Sequence, residues 1–352
     1  MCRTLFSKHE KMKQILYLSI LTALLLSACG NRAEQPIRLQ GETQGTYYSI
    51  IYYDSLQRNL QPQIDSLLHD FDLTANLWVD SSLIRRINRN QDTIISEMFR
   101  DILLKSLAIN QYTHGAFNCK IGSLVNLYGF GFEKRKDVSD QQIDSILTYI
   151  KQDSTIISPT QQPGEYVLTK LPQIQLDFNA IAQGYTSDLI AQMFDRLGLD
   201  NYLIDIGGEV IAKGRKSNGE HWTVGIERPA ESKYSEQQVE TAILLDNQSV
   251  VTSGNYRKYY EENGVRYSHT IDPATGHPVA HSLLSISVVS KESWYADAMA
   301  TAFMVMGLEK SLQFIEQHPE DPDIQAVFFI YNEQGQYKTY ATPKFQEIIK
   351  EI

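Results

Sequence analysis

Short segments rich in β-branched and aromatic residues are the feature of this 352-residue chain that most restricts its fold. Turn-forming residues bound each segment, as is typical of strands, and longer segments repeat apolar residues with helical periodicity. The predicted strands are 45–53, 202–206, 221–227, 241–245, 266–271, 284–290, 325–331 and 337–341, and the predicted helices are 57–71, 97–113, 140–150, 180–197 and 293–317. Because the strands cluster in the C-terminal half, we expect an α+β fold with a largely antiparallel sheet flanked by helices.

The N-terminus resembles an export signal. Lysines precede an apolar run at 15–26 that is too short to span a bilayer, and the sequence Leu-Ser-Ala-Cys ending at Cys29 fits a bacterial lipobox. An ordinary signal peptide with a coincidental cysteine is the alternative. The lipobox predicts a lipid-anchored protein of the bacterial cell envelope that faces the periplasm.

No long linker or repeat divides the remainder of the chain, so we expect one large domain. The predicted division is a lipoprotein signal peptide at 1–28, a tether at 29–40 after lipidated Cys29, and a single domain at 41–352. The formal net charge of −10 excludes the electrostatic basis of nucleic-acid binding. Cys119 is the only cysteine beyond Cys29, and we expect it to be buried packing rather than a nucleophile.

Four unusual runs carry most of the polar residues that point to chemistry. The first, YSHTIDPATGHP at 267–278, places His269 and Asp272 in a strand that ends in a turn rich in proline and glycine. The others are DFNAIAQG at 177–184, TSGNYR at 252–257 and ADAMAT at 296–301. In the third run, Ser253 and Arg257 are candidates either for phosphate contacts or for bracing a hairpin.

Asp297 and Thr301 are four residues apart at the start of a predicted helix, so they share one face. A carboxylate and a hydroxyl suit a hard cation such as Mg²⁺, which prefers oxygen ligands and leaves positions for substrate phosphates. Spacing alone favours a simpler role, because an aspartate in a first turn complements the helix dipole.

Other positions also have two interpretations. A helix that starts at Ala180 would offer free N–H groups to a pyrophosphate, and Asp177 would then be either a ligand contact or a helix cap. Trp78 is either a core residue or an aromatic platform. Gly207 and Gly208 predict a tight turn where the backbone approaches a ligand, but no wider dinucleotide-binding glycine pattern surrounds them.

Together these runs resemble the FAD:protein FMN transferase family, the ApbE-like flavin transferases. The similarity continues upstream in GTYY at 45–48, LWVDSSLIRRIN at 77–88 and GAFNCKIGSLVNLYGFG at 115–131. It extends over roughly residues 40–345 in the order that the family uses. The resemblance implies the same α+β fold class.

The resemblance also implies an activity and its partners. We expect Mg²⁺-dependent transfer of FMN from FAD to a threonine or serine hydroxyl of an exported acceptor protein, with release of AMP. The acceptor implied by the family is a membrane respiratory or electron-transfer subunit. Two alternatives stay open: an FAD pyrophosphatase that yields FMN and AMP, and a non-catalytic FAD-binding lipoprotein.

By resemblance, residues are assigned roles position by position. His269, in the motif SHTIDP, is the candidate general base, since an imidazole titrates near neutral pH; a structural histidine is the alternative. The implied cofactor contacts are Trp78, Ala116, Phe117, Asn118, Asp177, Gln183 and Ile271, and the implied metal ligands are the backbone of Ala180 with the side chains of Asp297 and Thr301.

The chain lacks acidic residues of the family pattern at two positions. Many relatives have an acidic residue where this chain has Ala300, and many have one where it has Asn118. Fewer carboxylates argue against a two-metal site and therefore against the hydrolase alternative.

Overall fold

The computed structural model describes residues 35–131, 138–229, 238–254, 259–262 and 265–350, with the backbone alone described at 259–262 and 265–268. The chain divides into two compact units, Met1–Gln35 and Pro36–Ile352, and all elements named below belong to the second. The predictions for the signal peptide and for Cys29 lie outside the described residues, as does Arg257. Within the described ranges, no helix has the length and apolarity needed to cross a membrane.

The described part of the second unit contains both strands and helices, with its longest uninterrupted series of strands between Tyr202 and Ser290. The strands are β1 (Ile37–Thr43), β2 (Thr46–Tyr52), β3 (Ile94–Ser96), β4 (Ile156–Pro159), β5 (Glu165–Thr169), β6 (Tyr202–Ile206), β7 (Glu209–Lys213), β8 (Trp222–Glu227), β9 (Val239–Leu245), β10 (Gln248–Gly254), β11 (Tyr259–Glu262), β12 (Val265–Ser268), β13 (Leu283–Ser290), β14 (Ala326–Glu333) and β15 (Gln336–Ala341). The helices are α1 (Gln61–Ala75), α2 (Leu83–Asn88), α3 (Glu97–Tyr112), α4 (Gly122–Leu127), α5 (Asp140–Gln152), α6 (Ala182–Arg196), α7 (Ser293–Gln317) and α8 (Pro343–Gln346), with a 3₁₀ turn at Pro322–Ile324.

The core of the unit is an eight-stranded sheet in the order β1-β2-β6-β7-β10-β13-β14-β15. Every neighbouring pair in this sheet is antiparallel. The predicted α+β class with a largely antiparallel sheet is therefore confirmed.

Both faces of the central strands are covered. On β13, Ile286 and Val288 belong to the same buried cluster as Ala296 and Phe303 of α7. The next residue, Val289, faces the other way, in a cluster with Trp222 of β8. Because helices cover one face and the β8–β9 hairpin covers the other, β13 is buried along almost its whole length, including its serines.

Helix α7 has the predicted bounds, but it is interrupted. Gly307 adopts φ 76° and ψ 173°, which only glycine takes up readily. The carbonyl of Met304 pairs with His281 Nε2 at 2.7 Å, and Ser311 Oγ donates to the carbonyls of Phe303 and Gly307. These side-chain bonds satisfy backbone groups that the interruption would otherwise leave buried without partners.

Several predicted boundaries are wrong by a few residues. The helix predicted at 57–71 begins at Gln61, because the carboxylate of Asp54 accepts hydrogen bonds from the backbone of Leu56 and Arg58 and holds that stretch as a turn. Strand β1 begins at Ile37, within the range predicted as a tether. The helix predicted from Ala180 begins at Ala182, two residues later.

Candidate active site

A cavity of about 850 Å³ is lined by residues from widely separated segments of the chain. The residues predicted for base, cofactor and metal roles in the described domain all line it. They are Trp78, Ala116, Phe117, Asn118, Asp177, Ala180, Gln183, His269, Ile271, Asp297 and Thr301. The structure therefore brings together positions that are up to 223 residues apart.

A close contact between α6 and α7 fixes the position of Asp297. The backbone N–H of Gly184 donates to the Asp297 carboxylate at 3.1 Å. A Cβ atom at Gly184 would lie 2.4 Å from the carbonyl oxygen of Ser293, so only glycine allows the two helices to approach this closely. Asp188, one turn further along α6, accepts from the N–H groups of Ser293 (3.0 Å) and Trp294 (2.8 Å) and so caps α7.

Burial raises the pKa of Asp297 to about 7, and the nearby charge of Asp188 adds to the effect. An isolated buried carboxylate is unstable as an anion, and a bound cation is the usual means of keeping it ionised. Thr301 is one turn along the same helix and lines the same cavity, as does Ala180. Carboxylate, hydroxyl and carbonyl oxygens form a donor set that fits Mg²⁺.

Asp297 is the one carboxylate in this donor set. Over the described ranges, no three histidine, cysteine, aspartate or glutamate residues cluster in a way that would hold a metal ion. The arrangement fits a cation that takes further ligands from substrate phosphates rather than from the protein.

Asn118 and Asp177 are brought together by pairing of their neighbours. Gly122 N donates to the carbonyl of Gln175 at 3.0 Å, and Asp177 N donates to the carbonyl of Cys119 at 2.8 Å. Cys119 itself is 2% exposed, and burial raises its pKa to about 12, which confirms its prediction as packing.

Asp177 does not cap a helix. Its Oδ1 accepts from the N–H of Asn179 at 2.8 Å within a turn, and burial raises the pKa of the carboxyl. Ala180 lies in the same turn rather than at a helix start. Ala182 and Gln183 at the N-terminus of α6 nevertheless line the cavity, where a helix start suits an anion, although the N–H of Gly184 is already bonded to Asp297.

Trp78 lies at the surface, with 59% of it exposed, so the core interpretation of this residue is wrong. The backbone N–H of Trp78 donates to Asn76 Oδ1 at 2.8 Å, which orients the backbone at this position. Phe117, by contrast, lines the cavity from the core, and it is 1% exposed. A large exposed indole beside a cavity is suited to stacking against a planar ring.

His269 lines the cavity directly before a tight turn. Its ring lies edge-on to Phe130, with ring centroids 6.3 Å apart. Asp272 builds the turn that follows, because its Oδ1 accepts from Ala274 N and its carbonyl accepts from Gly276 N. Asp272 is not among the described residues that line the cavity. Of the imidazole and the carboxylate that were expected side by side, only the imidazole therefore lines it.

The predicted turn at Gly207 and Gly208 is present, with φ values of 67° and 111°. A Cβ atom at Gly207 would lie 2.7 Å from Nε2 of Gln183, so the glycine allows the turn to contact the start of α6. The N–H of Gly208 donates to Asp205 Oδ1 at 2.9 Å.

Sequence reasoning missed two features of this region. Asp188 was not singled out, although the helical period places it on the same face of α6 as Gly184. Strand β8 was predicted, but nothing in its sequence indicated that Thr223, Gly225 and their neighbours line the cavity.

Comparisons with known proteins agree with this arrangement. The ApbE family model matches residues 44–328. An FAD:protein FMN transferase of Haemophilus influenzae is 32% identical over 343 residues, covering 94% of this chain and 96% of its own length. The solved flavin transferase ApbE from Vibrio cholerae is 30% identical, with a TM-score of 0.74 over 90% of this chain and 99% of its own. The apo flavinyl transferase ApbE of Pseudomonas stutzeri has the same TM-score, also at 30% identity.

The Asp188 carboxyl predicts a pH dependence of stability. Burial raises its pKa to about 7, so between about pH 4 and 7 the folded protein holds a proton that the unfolded chain has released. Without added divalent cations, the free energy of unfolding should therefore fall as the pH rises through this window. Asp188→Asn, which keeps an acceptor but cannot ionise, should remove about 1–2 kcal/mol of that fall in urea titrations.

The control is Asp188→Ala, which removes the cap of α7 and should lower stability across the whole pH range. A wild-type slope that persists unchanged in Asp188→Asn would contradict the assignment.

Proposed function

The chain belongs to the ApbE family, and from this premise we propose that it is an FAD:protein FMN transferase. The observation that carries the proposal is the convergence of the candidate base, the cofactor positions and the metal-ligand positions on one cavity. FAD is the donor, a protein is the acceptor, and AMP is the second product.

The cavity offers complementary surfaces to each part of FAD. Trp78 provides an exposed aromatic face for a ring system. The start of α6 at Ala182 and Gln183 directs N–H groups toward the cavity, which suits a pyrophosphate. Asp297, Thr301 and the backbone of Ala180 would hold Mg²⁺, which when bound supplies positive charge to the phosphate oxygens.

We propose that His269 accepts the proton in the transfer step. The hydroxyl oxygen of an acceptor threonine or serine attacks the phosphorus of the FMN half of FAD, and its proton passes to an imidazole nitrogen of His269. The bond between that phosphorus and the bridging oxygen breaks, and AMP leaves with the bridging oxygen. The turn built by Asp272 holds the histidine at the cavity wall.

The N-terminal sequence and the family support our proposals for the acceptor and the location. A lipidated Cys29 would anchor the enzyme to a membrane of the cell envelope, facing the periplasm. We propose that its acceptor is an exported protein of a membrane electron-transfer complex. Envelope proteins that lose covalent flavin when the gene is deleted are the acceptors, and the deletion strain provides them in flavin-free form.

Replacement of His269 should slow transfer while leaving FAD binding intact. His269→Ala removes the proton acceptor, and loss of a general base typically costs about 10² to 10⁴-fold in rate. The measurement is single-turnover FMN transfer to flavin-free acceptor, beside FAD affinity from flavin fluorescence.

His277→Ala is the matched control, because His277 belongs to the same motif but pairs with Tyr128 instead of lining the cavity. If His269→Ala transferred FMN at the wild-type rate, another residue would be the base. Release of free FMN and AMP with no labelled acceptor would favour the pyrophosphatase alternative.

Replacement of Asp297 should abolish the Mg²⁺ response. Asp297→Asn keeps the shape and the hydrogen bond from Gly184 but removes the anionic ligand, so FAD affinity should become insensitive to Mg²⁺ and transfer should fall at least about 100-fold. Asp272→Asn, which retains an acceptor for the turn, is the control. Mg²⁺-dependent FAD binding that survives in Asp297→Asn would place the metal elsewhere.

Replacement of Cys29 should release the protein from the membrane. Cys29→Ala removes the thiol that would carry the acyl chains, and a protein without them has no other described membrane anchor. Membrane and soluble fractions are compared by immunoblot, with Cys2→Ala as the control for the other N-terminal cysteine. Unchanged membrane partitioning of a processed Cys29→Ala protein would exclude the lipoprotein assignment.

A further inference from the structure

The β8–β9 hairpin is a separate two-stranded layer that packs on the main sheet. Trp222 and Ile226 of β8 are buried in the cluster between the two layers. Thr223 and Gly225 alternate with them and therefore lie on the opposite side of the strand. Both residues line the cavity described above.

The β9 edge of this hairpin is extended by the C-terminal segment at residues 348–350. Leu244 N donates to the carbonyl of Ile348 at 2.9 Å, and Lys350 N donates to the carbonyl of Ala242 at 2.8 Å. The C-terminal segment thus pairs with β9 as a short additional strand, through an antiparallel bridge between Ile243 and Ile349.

These bonds determine which backbone groups of β8 are used within the hairpin. Because Ala242 and Leu244 direct their backbone groups toward the C-terminal segment, Ile243 directs its own toward β8, where its register partner is Val224. Thr223 and Gly225 must then direct their N–H and C=O groups away from β9. In the described part of the chain, no hydrogen bond uses these groups.

The open edge of β8 therefore offers unused donors and acceptors along the wall of the cavity. Gly225 is exposed, and the absence of a side chain there allows another backbone to approach closely. Unpaired strand edges are sites at which an extended peptide can add as a further strand.

We propose that the β8 edge binds an extended segment of the acceptor protein, which pairs with Thr223 and Gly225 and presents its hydroxyl to the cavity. This proposal rests on the proposed function, since it identifies how that enzyme binds its second substrate. In an added strand, successive side chains point to opposite faces, so main-chain pairing would orient alternate side chains consistently. The C-terminal segment already pairs with the other edge of this hairpin, at β9, through main-chain bonds.

Proline at Gly225 tests the proposal with little effect on the hairpin. The N–H of Gly225 faces the open edge, so Gly225→Pro removes no bond between β8 and β9 but blocks pairing with an incoming strand. Gly225→Ala is the matched control, because it keeps the N–H and its Cβ would lie an ordinary 3.4 Å from Val239. Thr223→Pro is a second, independent test of the same edge, and Thr223→Val, which keeps the N–H, is its control.

The full-length variants are compared for FMN transfer to flavin-free acceptor, for FAD affinity and for thermal unfolding. Gly225→Pro should lower kcat/KM for the acceptor at least about tenfold, mainly through KM, while FAD affinity stays within about twofold and Gly225→Ala resembles wild type. A Gly225→Pro variant that fails to bind FAD is misfolded, and the Thr223 pair then decides.

Three outcomes would overturn the proposal in distinguishable ways. Equal acceptor KM in wild type and both proline variants would exclude the β8 edge and leave the transferase assignment intact. A wild type that binds FAD but transfers no FMN to any acceptor would contradict the proposed function and this proposal together. A change of oligomeric state in Gly225→Pro, without a change in acceptor KM, would assign the edge to a second copy of the chain instead.

Discussion

The close contact between α6 and α7 at Gly184 is the constraint on which the arrangement of the cavity depends. Each helix supplies a carboxylate to the backbone of the other: Asp188 of α6 caps the start of α7, and Asp297 of α7 accepts from Gly184 N. Because a side chain at Gly184 would collide with backbone atoms, no rotamer change could relieve the clash. The position of Asp297 is thus determined by packing before any ligand arrives.

This contact has an electrostatic consequence that connects the fold to the chemistry. Burial raises the pKa values of both Asp188 and Asp297 to about 7. When both are ionised, the two negative charges repel each other. A bound cation would stabilise the ionised form of Asp297, so metal binding and deprotonation are coupled. Under the proposed function, this buried carboxylate is destabilising by itself and would become a ligand when a cation and substrate phosphates are present.

Much of the fold was predictable, because its signals are local. Strand β6 was predicted residue for residue, since β-branched and aromatic residues are followed there by Gly207 and Gly208. The bounds of α7 were also predicted, but its interruption at Gly307 was not. From the sequence alone, a glycine within an apolar helical segment does not reveal whether its backbone is helical. The bonds from His281 and Ser311 that compensate for the interruption form only in the folded structure.

The candidate site likewise contains residues that the sequence predicted and residues that it did not. The resemblance of several runs to one family identified residues that do line a single cavity, because motif residues are recognisable without knowledge of the fold. Asp177 illustrates the limit: whether it caps a helix or closes a turn depends on where α6 begins, which periodicity placed at Ala180 instead of Ala182. The cross-helix role of Asp188 depends on the approach of two helices that are distant in sequence, and a single sequence carries no signal for it.

The open edge of β8 reflects a general problem of sheet proteins. An unpaired strand edge invites association with other chains, and proteins normally cover or interrupt such edges. In this hairpin the β9 edge is covered by residues 348–350, whereas no described residue forms a hydrogen bond with the backbone of Thr223 or Gly225 of β8 along the cavity wall. The position of this edge limits which chains can pair with it, because an incoming strand must also fit beside the cavity. Recognition of a protein substrate through main-chain bonds would then place few demands on its sequence, and the reacting hydroxyl would be selected mainly by its reach into the cavity.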